Sequence, residues 1–483
     1  MSDKFKNILL IFSLILTDLL GFFIAFIAAI YCRIFISIIY PHLPQFNPNV
    51  NILVYKIWWM PFIFIFFINY EGLYISRLPY WEETKELIKV IVLFGILSYA
   101  MVSFTKLSES VSRLVIGITI ILLLFVIPFI RLWSKRLLYK IGLWKENTII
   151  VGADEIGILT AESLIKEDYL GYNVIGFLDD DIEKTGKKIL IGNREYKIFG
   201  SIKHLKKFIN LLHILTIIVT MPSFSKEKLL ELVSKTRKYV KNIIVIPDLR
   251  YTPLFNSKIN YLIAHQLFFL NIKNNSKSTF NNFIKRLYDI IVSIILLPFI
   301  LLAVVVIGIL IKIDSKGGIF YSHQRIGKNG KIINIYKFRS MYKDADERLK
   351  NVLEKDEEAL KEWKIYFKLK NDHRITKVGN FLRRTSLDEL PQIFNVLKGD
   401  MSLVGPRPVL KKEIDEYYKE SSQYYLMVKP GITGLWQVSG RNNTNYDFRI
   451  KLDTWYVVNW SLWLDIIILF KTIKIVLKRE GSY

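Results

Sequence analysis

Lys285-Arg-Leu-Tyr-Asp289 leads into Ile290-Ile-Val-Ser-Ile-Ile-Leu-Leu-Pro298-Phe-Ile-Leu-Leu-Ala-Val-Val-Val-Ile-Gly-Ile-Leu-Ile311, twenty-two residues without a charge, and Lys312 and Lys316 follow. At about 1.5 Å per residue this run is long enough to cross a hydrocarbon core. Both of its flanks are basic, and basic flanks favour one and the same side, the cytoplasmic one. Pro298 lies inside the run, where it removes a backbone donor and bends a helix. A simple crossing would also put the basic C-terminal part of the chain on the far side. The run is therefore expected to be a bent, re-entrant helix that enters and leaves the membrane on the cytoplasmic face. The competing expectation is a plain fifth crossing.

Working back towards the N-terminus, four more apolar runs fill the first 132 residues: Ile8 to Tyr31, Ile52 to Tyr70, Leu87 to Phe104 and Leu114 to Ile130. Each is near the ~20 residues that a crossing needs. The stretch Arg131-Leu-Trp-Ser-Lys135-Arg136-Leu-Leu-Tyr-Lys140 carries four positive charges and no acid, and Lys4 and Lys6 precede the first run. An even number of crossings with both basic ends inside predicts a four-helix transmembrane bundle over residues 1–140, with everything after Arg131 cytoplasmic. Asp18 falls within the first run; an intramembrane carboxylate is either functional or satisfied by a neighbouring helix or water. Composition agrees with a membrane protein: 52% of the 483 residues are apolar and 14% aromatic. The net charge of +24 would suggest nucleic acid in a soluble chain. Beside apolar runs it points instead to membrane lipids and phosphate-bearing substrates, with no nucleic acid. The single cysteine, Cys32, excludes an intramolecular disulfide and a cysteine-based metal site. The first run is too long for a signal-peptide core and lacks a small-residue cleavage site after it.

Between the two apolar regions the pattern changes. Thr148 to Val151, Asn173 to Leu178, Ile214 to Thr220 and Asn242 to Ile246 read as strands separated by helical stretches, which predicts a Rossmann-like α/β middle domain over residues 145–270. Gly152-Ala-Asp-Glu-Ile-Gly157 opens a helix after the first strand, yet Asp154 stands where a dinucleotide fingerprint wants glycine. A structural or regulatory domain is expected ahead of a nucleotide-binding one. The polar stretch Asn271 to Asn282 reads as the linker to residues 280–483.

The chemistry-bearing residues all lie in that last part. Ser386-Leu-Asp388-Glu389, followed by Leu390, Ile393, Phe394 and Leu397, resembles a capping box before an amphipathic helix, with Pro391 tolerated near its start. Carboxylates and phosphates are both favoured at such a helix start. An ionised aspartate beside a metal can attack phosphorus, and a neighbouring glutamate can hold the metal. Mg2+ takes one or two carboxylates and completes its shell with substrate phosphates and water. Lys337, Arg339, Arg383, Arg384, Arg407 and Arg441 supply cations for a pyrophosphate, and Gly405-Pro-Arg-Pro408 forms a rigid turn that aims Arg407. These residues justify a phosphate centre, not a particular reaction.

Two longer stretches go further. Thr385-Ser-Leu-Asp-Glu-Leu-Pro-Gln through Val404-Gly-Pro-Arg-Pro408, with His323-Gln-Arg-Ile-Gly327 and Tyr336-Lys-Phe-Arg-Ser-Met341 before it, resembles the polyisoprenyl-phosphate hexose-1-phosphate transferases. With four crossings and an α/β middle domain, the whole chain is similar to the long form, such as the undecaprenyl-phosphate galactose or glucose phosphotransferases. The resemblance implies a mainly helical monotopic catalytic domain at the bacterial inner membrane. It implies a UDP-sugar donor, undecaprenyl phosphate as acceptor and Mg2+, with a homodimer compatible with the fold. It makes Asp388 the nucleophile and Glu389 the metal ligand, and matches Arg383 and Arg407 to the family's basic residues. Lys285, Arg286, Asp289 and Pro298 match the start and break of the re-entrant helix. The family often carries serine before that proline, where this chain has Leu297. An aspartyl phosphosugar with ping-pong kinetics follows. Residues 342–370 read as a charged insertion, and Trp455 to Lys478 as an interfacial stretch. The rival reading is a catalytically inactive membrane scaffold or regulator of polysaccharide assembly; a transporter or a nucleic-acid-binding protein fits less well.

Overall fold

The computed structural model describes residues 3–42, 57–104, 112–220, 226–246, 258–262, 267–271, 275, 278–355, 372–440 and 446–478. They belong to two compact units, residues 1–249 and 250–483.

The first unit opens with helices α1 (Asp3–Ile39), α2 (Trp59–Tyr70), α3 (Tyr80–Phe104) and α4 (Arg113–Lys140). Phe22, Phe64 and Phe94 meet in its core with ring centroids 5.3–5.9 Å apart. Phe12, Phe23, Ile121, Phe125 and Phe129 point outwards. An apolar exterior around a packed interior suits hydrocarbon as the solvent. By length and composition α1, α3 and α4 can cross a membrane, and so can the later helix 279–314. The described part of α2 has twelve residues, and positions 52–56 of its expected span lie outside the described residues.

Asp18 is fully buried and satisfied by a neighbouring helix: the Arg131 Nε and Nη2 donate to its two oxygens at 2.8 and 2.7 Å. Arg131 Nη1 donates to Glu83 at 2.8 Å, and Lys135 Nζ reaches both oxygens of Glu83 at 2.7 Å. The four charges cancel in a buried chain across α1, α3 and α4. This corrects the charge count after the fourth run: Arg131 and Lys135 turn inwards to acids, because an unpaired charge in the bundle would cost several kcal/mol or more. Arg136 pairs with Asp168 at 3.4 Å, which leaves Lys140 of the four.

The α/β part of the unit carries a four-stranded parallel sheet in the order β2 (Tyr172–Leu178), β1 (Glu146–Val151), β5 (Thr216–Val219), β6 (Asn242–Val245). All four strands were legible as apolar runs because a parallel strand is covered on both faces. The hairpin β3 (Lys188–Ile191) and β4 (Arg194–Lys197) was not anticipated. Helix α5 (Glu155–Lys166) follows β1, and α6 (Leu205–Leu212) and α7 (Lys226–Thr236) lie between the later strands. Arg77, from the turn before α3, ties the sheet to the helices. It pairs with Glu146 at 2.9 Å, donates to the carbonyls of Trp144 and Leu170, and stacks over the Trp144 ring at 4.3 Å.

The second unit contains a hairpin of β7 (Lys258–Leu262) and β8 (Leu267–Asn271), then helix α8 (Thr279–Asp314), with Pro298 inside it. The antiparallel hairpin β9 (Phe320–Ile326) and β10 (Ile332–Phe338) follows, then α9 (Lys377–Thr385) and α10 (Gln392–Lys398). A short parallel pair, β11 (Ser402–Val404) and β12 (Gly431–Thr433), precedes α11 (Tyr446–Val458) and α12 (Leu462–Lys478). Ile333, Ile335, Ile393, Val396, Leu403, Tyr456 and Ile468 share its core. The stretch Trp455 to Lys478 is half core and half surface: Leu464 and Ile468 are buried, whereas Phe470, Ile473 and Val476 are exposed. Residues 345–355 of the charged insertion are helical, and 356–371 lie outside the described residues.

Both ends of α8 are fastened within the second unit, the start at this core and the end at a second cluster. Near its start, Lys285 Nζ donates to Asp465 at 2.6 Å and to the Val404 carbonyl at 3.1 Å. Arg286 caps α10 through the carbonyls of Val396 and Leu397, and Asp289 accepts from the Ser402 hydroxyl at 2.8 Å. Near its end, Ile307 and Ile311 pack on Phe338 and Leu382, and Asp314 accepts from the Val378 amide at 3.0 Å. Between these anchors Ile295, Phe299, Leu302 and Val305 are exposed. Lys285 and Arg286, read from the sequence as flanking charges, therefore face the protein.

Candidate active site

The acidic pair lies in a single tight turn between two helices. Ser386, with φ +56°, ends α9 in the left-handed region; Leu387–Glu389 form a 3₁₀ turn; Pro391 stands at the start of α10. The expected capping box does not form. Ser386 makes no side-chain cap bond, because it closes the preceding helix and does not open the next. The Glu389 carboxylate is engaged elsewhere: Lys337 Nζ donates to it at 2.7 Å and Arg407 Nη2 lies at 3.4 Å from the same oxygen. Lys337 is also 4.0 Å from Asp388.

Each cation reaches the turn by its own element. Lys337 comes from β10, which is pinned to α10 by the buried Asn395: its Nδ2 donates to the Asn334 carbonyl at 2.7 Å and its Oδ1 accepts from the Tyr336 amide at 3.0 Å. Arg407 follows β11, in a turn packed backbone against backbone. A Cβ on Gly405 would lie 2.6 Å from the Lys429 carbonyl, and one on Gly431 2.1 Å from the Gly405 nitrogen, so neither position admits a side chain. Arg383, in the last turn of α9, donates from Nε to Ser340 at 2.9 Å.

Burial raises the Asp388 carboxyl above its ordinary range, and the neighbouring Glu389 charge adds to this. Lys337, Arg383 and Arg407 oppose both effects and draw it back. Such a carboxylate is more basic than a surface aspartate, yet it is held where cations stabilise its ionised form. Burial also lowers the Arg383 guanidinium, against the pull of Asp388.

Lys337, Arg383, Asp388, Glu389 and Arg407 are thus brought together. Arg339 is not among them: it caps the end of α8, donating to the Ser315 and Lys316 carbonyls at 2.7 and 2.8 Å. Arg384 is exposed, and Arg441 lies outside the described residues. Asn395 and Ser340 were not singled out; neutral buried residues leave no charge pattern in a sequence. For Mg2+ the donor set is two carboxylates, Asp388 and Glu389; among the described residues no cluster of three or more acidic, histidine or cysteine ligands forms a complete cage. Two carboxylates suit an ion that takes the rest of its shell from substrate phosphates and water.

At the carboxyl ends of the parallel strands in the first unit, the Asp179 Oδ2 accepts from the Ala153 amide at 2.9 Å, and Lys184 pairs with Asp154. Asp154, Glu155, Asp180 and Asp181 surround them.

Residues 280–479 match the family model described as bacterial sugar transferase, and residues 80–247 match a CoA-binding domain. An undecaprenyl-phosphate galactose phosphotransferase of Salmonella typhimurium is 40% identical, over 97% of either chain. A UDP-galactose-lipid carrier transferase of Erwinia amylovora is 36% identical over 99% of this chain and 98% of its own. A UDP-glucose:undecaprenyl-phosphate glucose-1-phosphate transferase of Klebsiella pneumoniae is 35% identical over 69% of this chain and 68% of its own. The strand ends do not suit a phosphate-bearing cofactor such as CoA: the amide at Ala153 is taken by Asp179, and Lys184 is paired with Asp154 and Asp179.

Proposed function

This chain belongs to the long-form bacterial sugar transferases, and from that membership we propose that it moves hexose-1-phosphate from a UDP-hexose, galactose or glucose, to undecaprenyl phosphate at the start of surface-polysaccharide assembly. The carrying observation is the turn that holds Asp388 and Glu389 among Lys337, Arg383 and Arg407. The Asp388 carboxylate attacks the phosphorus bearing the hexose; the bond from that phosphorus to the bridging oxygen breaks, and UMP leaves with the electron pair. An oxygen of undecaprenyl phosphate then attacks the same phosphorus, the aspartyl bond breaks, and the Asp388 carboxylate returns. Two displacements at one centre let a soluble donor and a lipid acceptor use it in turn. Lys337 and Arg407 orient the phosphates and offset charge that builds on them. Mg2+ held by Glu389 would neutralise phosphate charge.

The anchoring of both ends of α8 to the extramembrane part of its own unit supports a re-entrant helix with its bend at Pro298. Such a helix holds the turn at headgroup depth on the cytoplasmic face of the inner membrane, where UDP-sugar and lipid phosphate meet.

The test is UMP release by the protein in lipid nanodiscs, from UDP-galactose and UDP-glucose with Mg2+, with and without undecaprenyl phosphate. Sustained release is expected only with the lipid, and Asp388→Asn is expected to abolish it. Full activity in that variant would exclude the covalent route, and release from neither donor would exclude both sugars.

A further inference from the structure

The motif His323-Gln-Arg325-Ile-Gly327 forms the end of β9 and the turn after it. Its register with β10 sets Tyr321 opposite Lys337, His323 opposite Ile335 and Arg325 opposite Ile333. Directly opposed residues of an antiparallel pair share a face, so Tyr321, His323 and Arg325 lie on the face that carries Lys337. The Tyr321 and His323 rings meet edge to face at 6.0 Å. The amide of Ile326 donates to the Val409 carbonyl at 2.9 Å, which joins this strand to the segment just after Arg407. Arg325 is half-buried, and among the described residues no carboxylate comes within 4.0 Å of it; its own Gln324 carbonyl accepts from Nη1 at 2.9 Å. Burial lowers its guanidinium, and the positive charge of Arg407 lowers it further against the pull of Glu413. Burial, Arg325 and Lys337 likewise lower the His323 imidazole. A half-buried guanidinium beside a second one, with no acid in contact, is a standing cost that a bound anion removes.

We infer that Arg325, with Arg407, forms a phosphate site for the nucleoside end of the donor, beside the His323 ring. This rests on the transferase reading. Two sources of phosphate exist, the donor and the lipid acceptor, and position favours the donor. Phe338, at one end of β10, packs on Ile307 and Ile311 of the membrane helix. Arg325 lies opposite Ile333, about 17 Å along the strand from Phe338 at ~3.3 Å per residue, and so away from the contact with Ile307 and Ile311. The half-buried His323 ring, two residues from Arg325 on the same face, offers a surface to a nucleobase, which the lipid phosphate does not bring.

The experiment measures UDP binding by calorimetry to the full chain in nanodiscs, for the unmodified protein, Arg325→Met and Arg325→Lys, together with donor and acceptor KM. Arg325→Met is expected to weaken UDP binding and raise the donor KM roughly ten- to a hundredfold, the worth of a charge-assisted hydrogen bond, with the acceptor KM unchanged. Arg325→Lys, which keeps the charge and the fold, is expected to recover part of the loss. UDP binding without transfer activity would sustain this site while removing the transferase reading. Unchanged UDP affinity in both Arg325 variants, a rise confined to the acceptor KM, or no UDP binding by the unmodified chain would overturn the site.

Discussion

Asp388 is a carboxylate under opposing forces. Burial and Glu389 raise its pKa, and Lys337, Arg383 and Arg407 pull it down, with the balance above the ordinary value. Attack on phosphorus needs the ionised form, so donor kcat/KM is expected to fall as pH drops through this raised pKa, above the ~3.9 of an unperturbed aspartate. Removing a raising charge must lower that limb and removing a lowering charge must lift it. Glu389→Gln is accordingly expected to move the acidic limb of the pH–rate profile down, and Lys337→Met to move it up. Shifts in the same direction for both variants would contradict this account of the turn. The dyad and Arg407 were readable as residues, since their motifs are contiguous. The roles of Arg339 and Arg325 were not, since a charge in a sequence does not say which neighbour it meets.

At the scale of elements, α8 is held by its ends. Its centre is apolar and outward-facing, while Lys285 and Asp465 form a largely buried pair that also receives Tyr456 and Trp460. Truncating one partner of such a pair leaves the other charge uncompensated, typically at about 3–5 kcal/mol. Lys285→Met is therefore expected to lower the thermal midpoint strongly in detergent, and Lys285→Met with Asp465→Asn to recover part of the loss. A double variant no better than the single one would show that Lys285 acts through the Val404 carbonyl instead. The apolar length of α8 and its proline were plain in the sequence. Which way its basic residues point was settled by packing, because β11 and α10 present carbonyls and α12 the Asp465 carboxylate to that end.

Over the whole molecule, charge is managed differently in the two units. The first buries Asp18, Glu83, Arg131 and Lys135 as a neutral network within apolar helices. The second gathers cations around one acidic turn. Arg131→Met, which strips both Asp18 and Glu83 of a partner, is expected to cost at least about 3–5 kcal/mol, read as loss of the monodisperse peak on size exclusion. Asp18→Asn is expected to be milder, since the Arg131 guanidinium keeps Glu83. Equal, wild-type behaviour of the two variants would mean the network carries no stability. Local pattern alone determined the apolar runs, the four parallel strands, the Asp388-Glu389 motif and the family, because hydropathy period and contiguous motifs are properties of neighbouring residues. Tertiary structure decided which charges pair. Arg131 meets Asp18 from 113 residues away, Lys337 meets Glu389 across 52, and the β9–β10 register brings Arg325 to the face that bears Lys337. Those contacts depend on how distant elements pack, and a buried ion pair leaves no periodic trace along the chain.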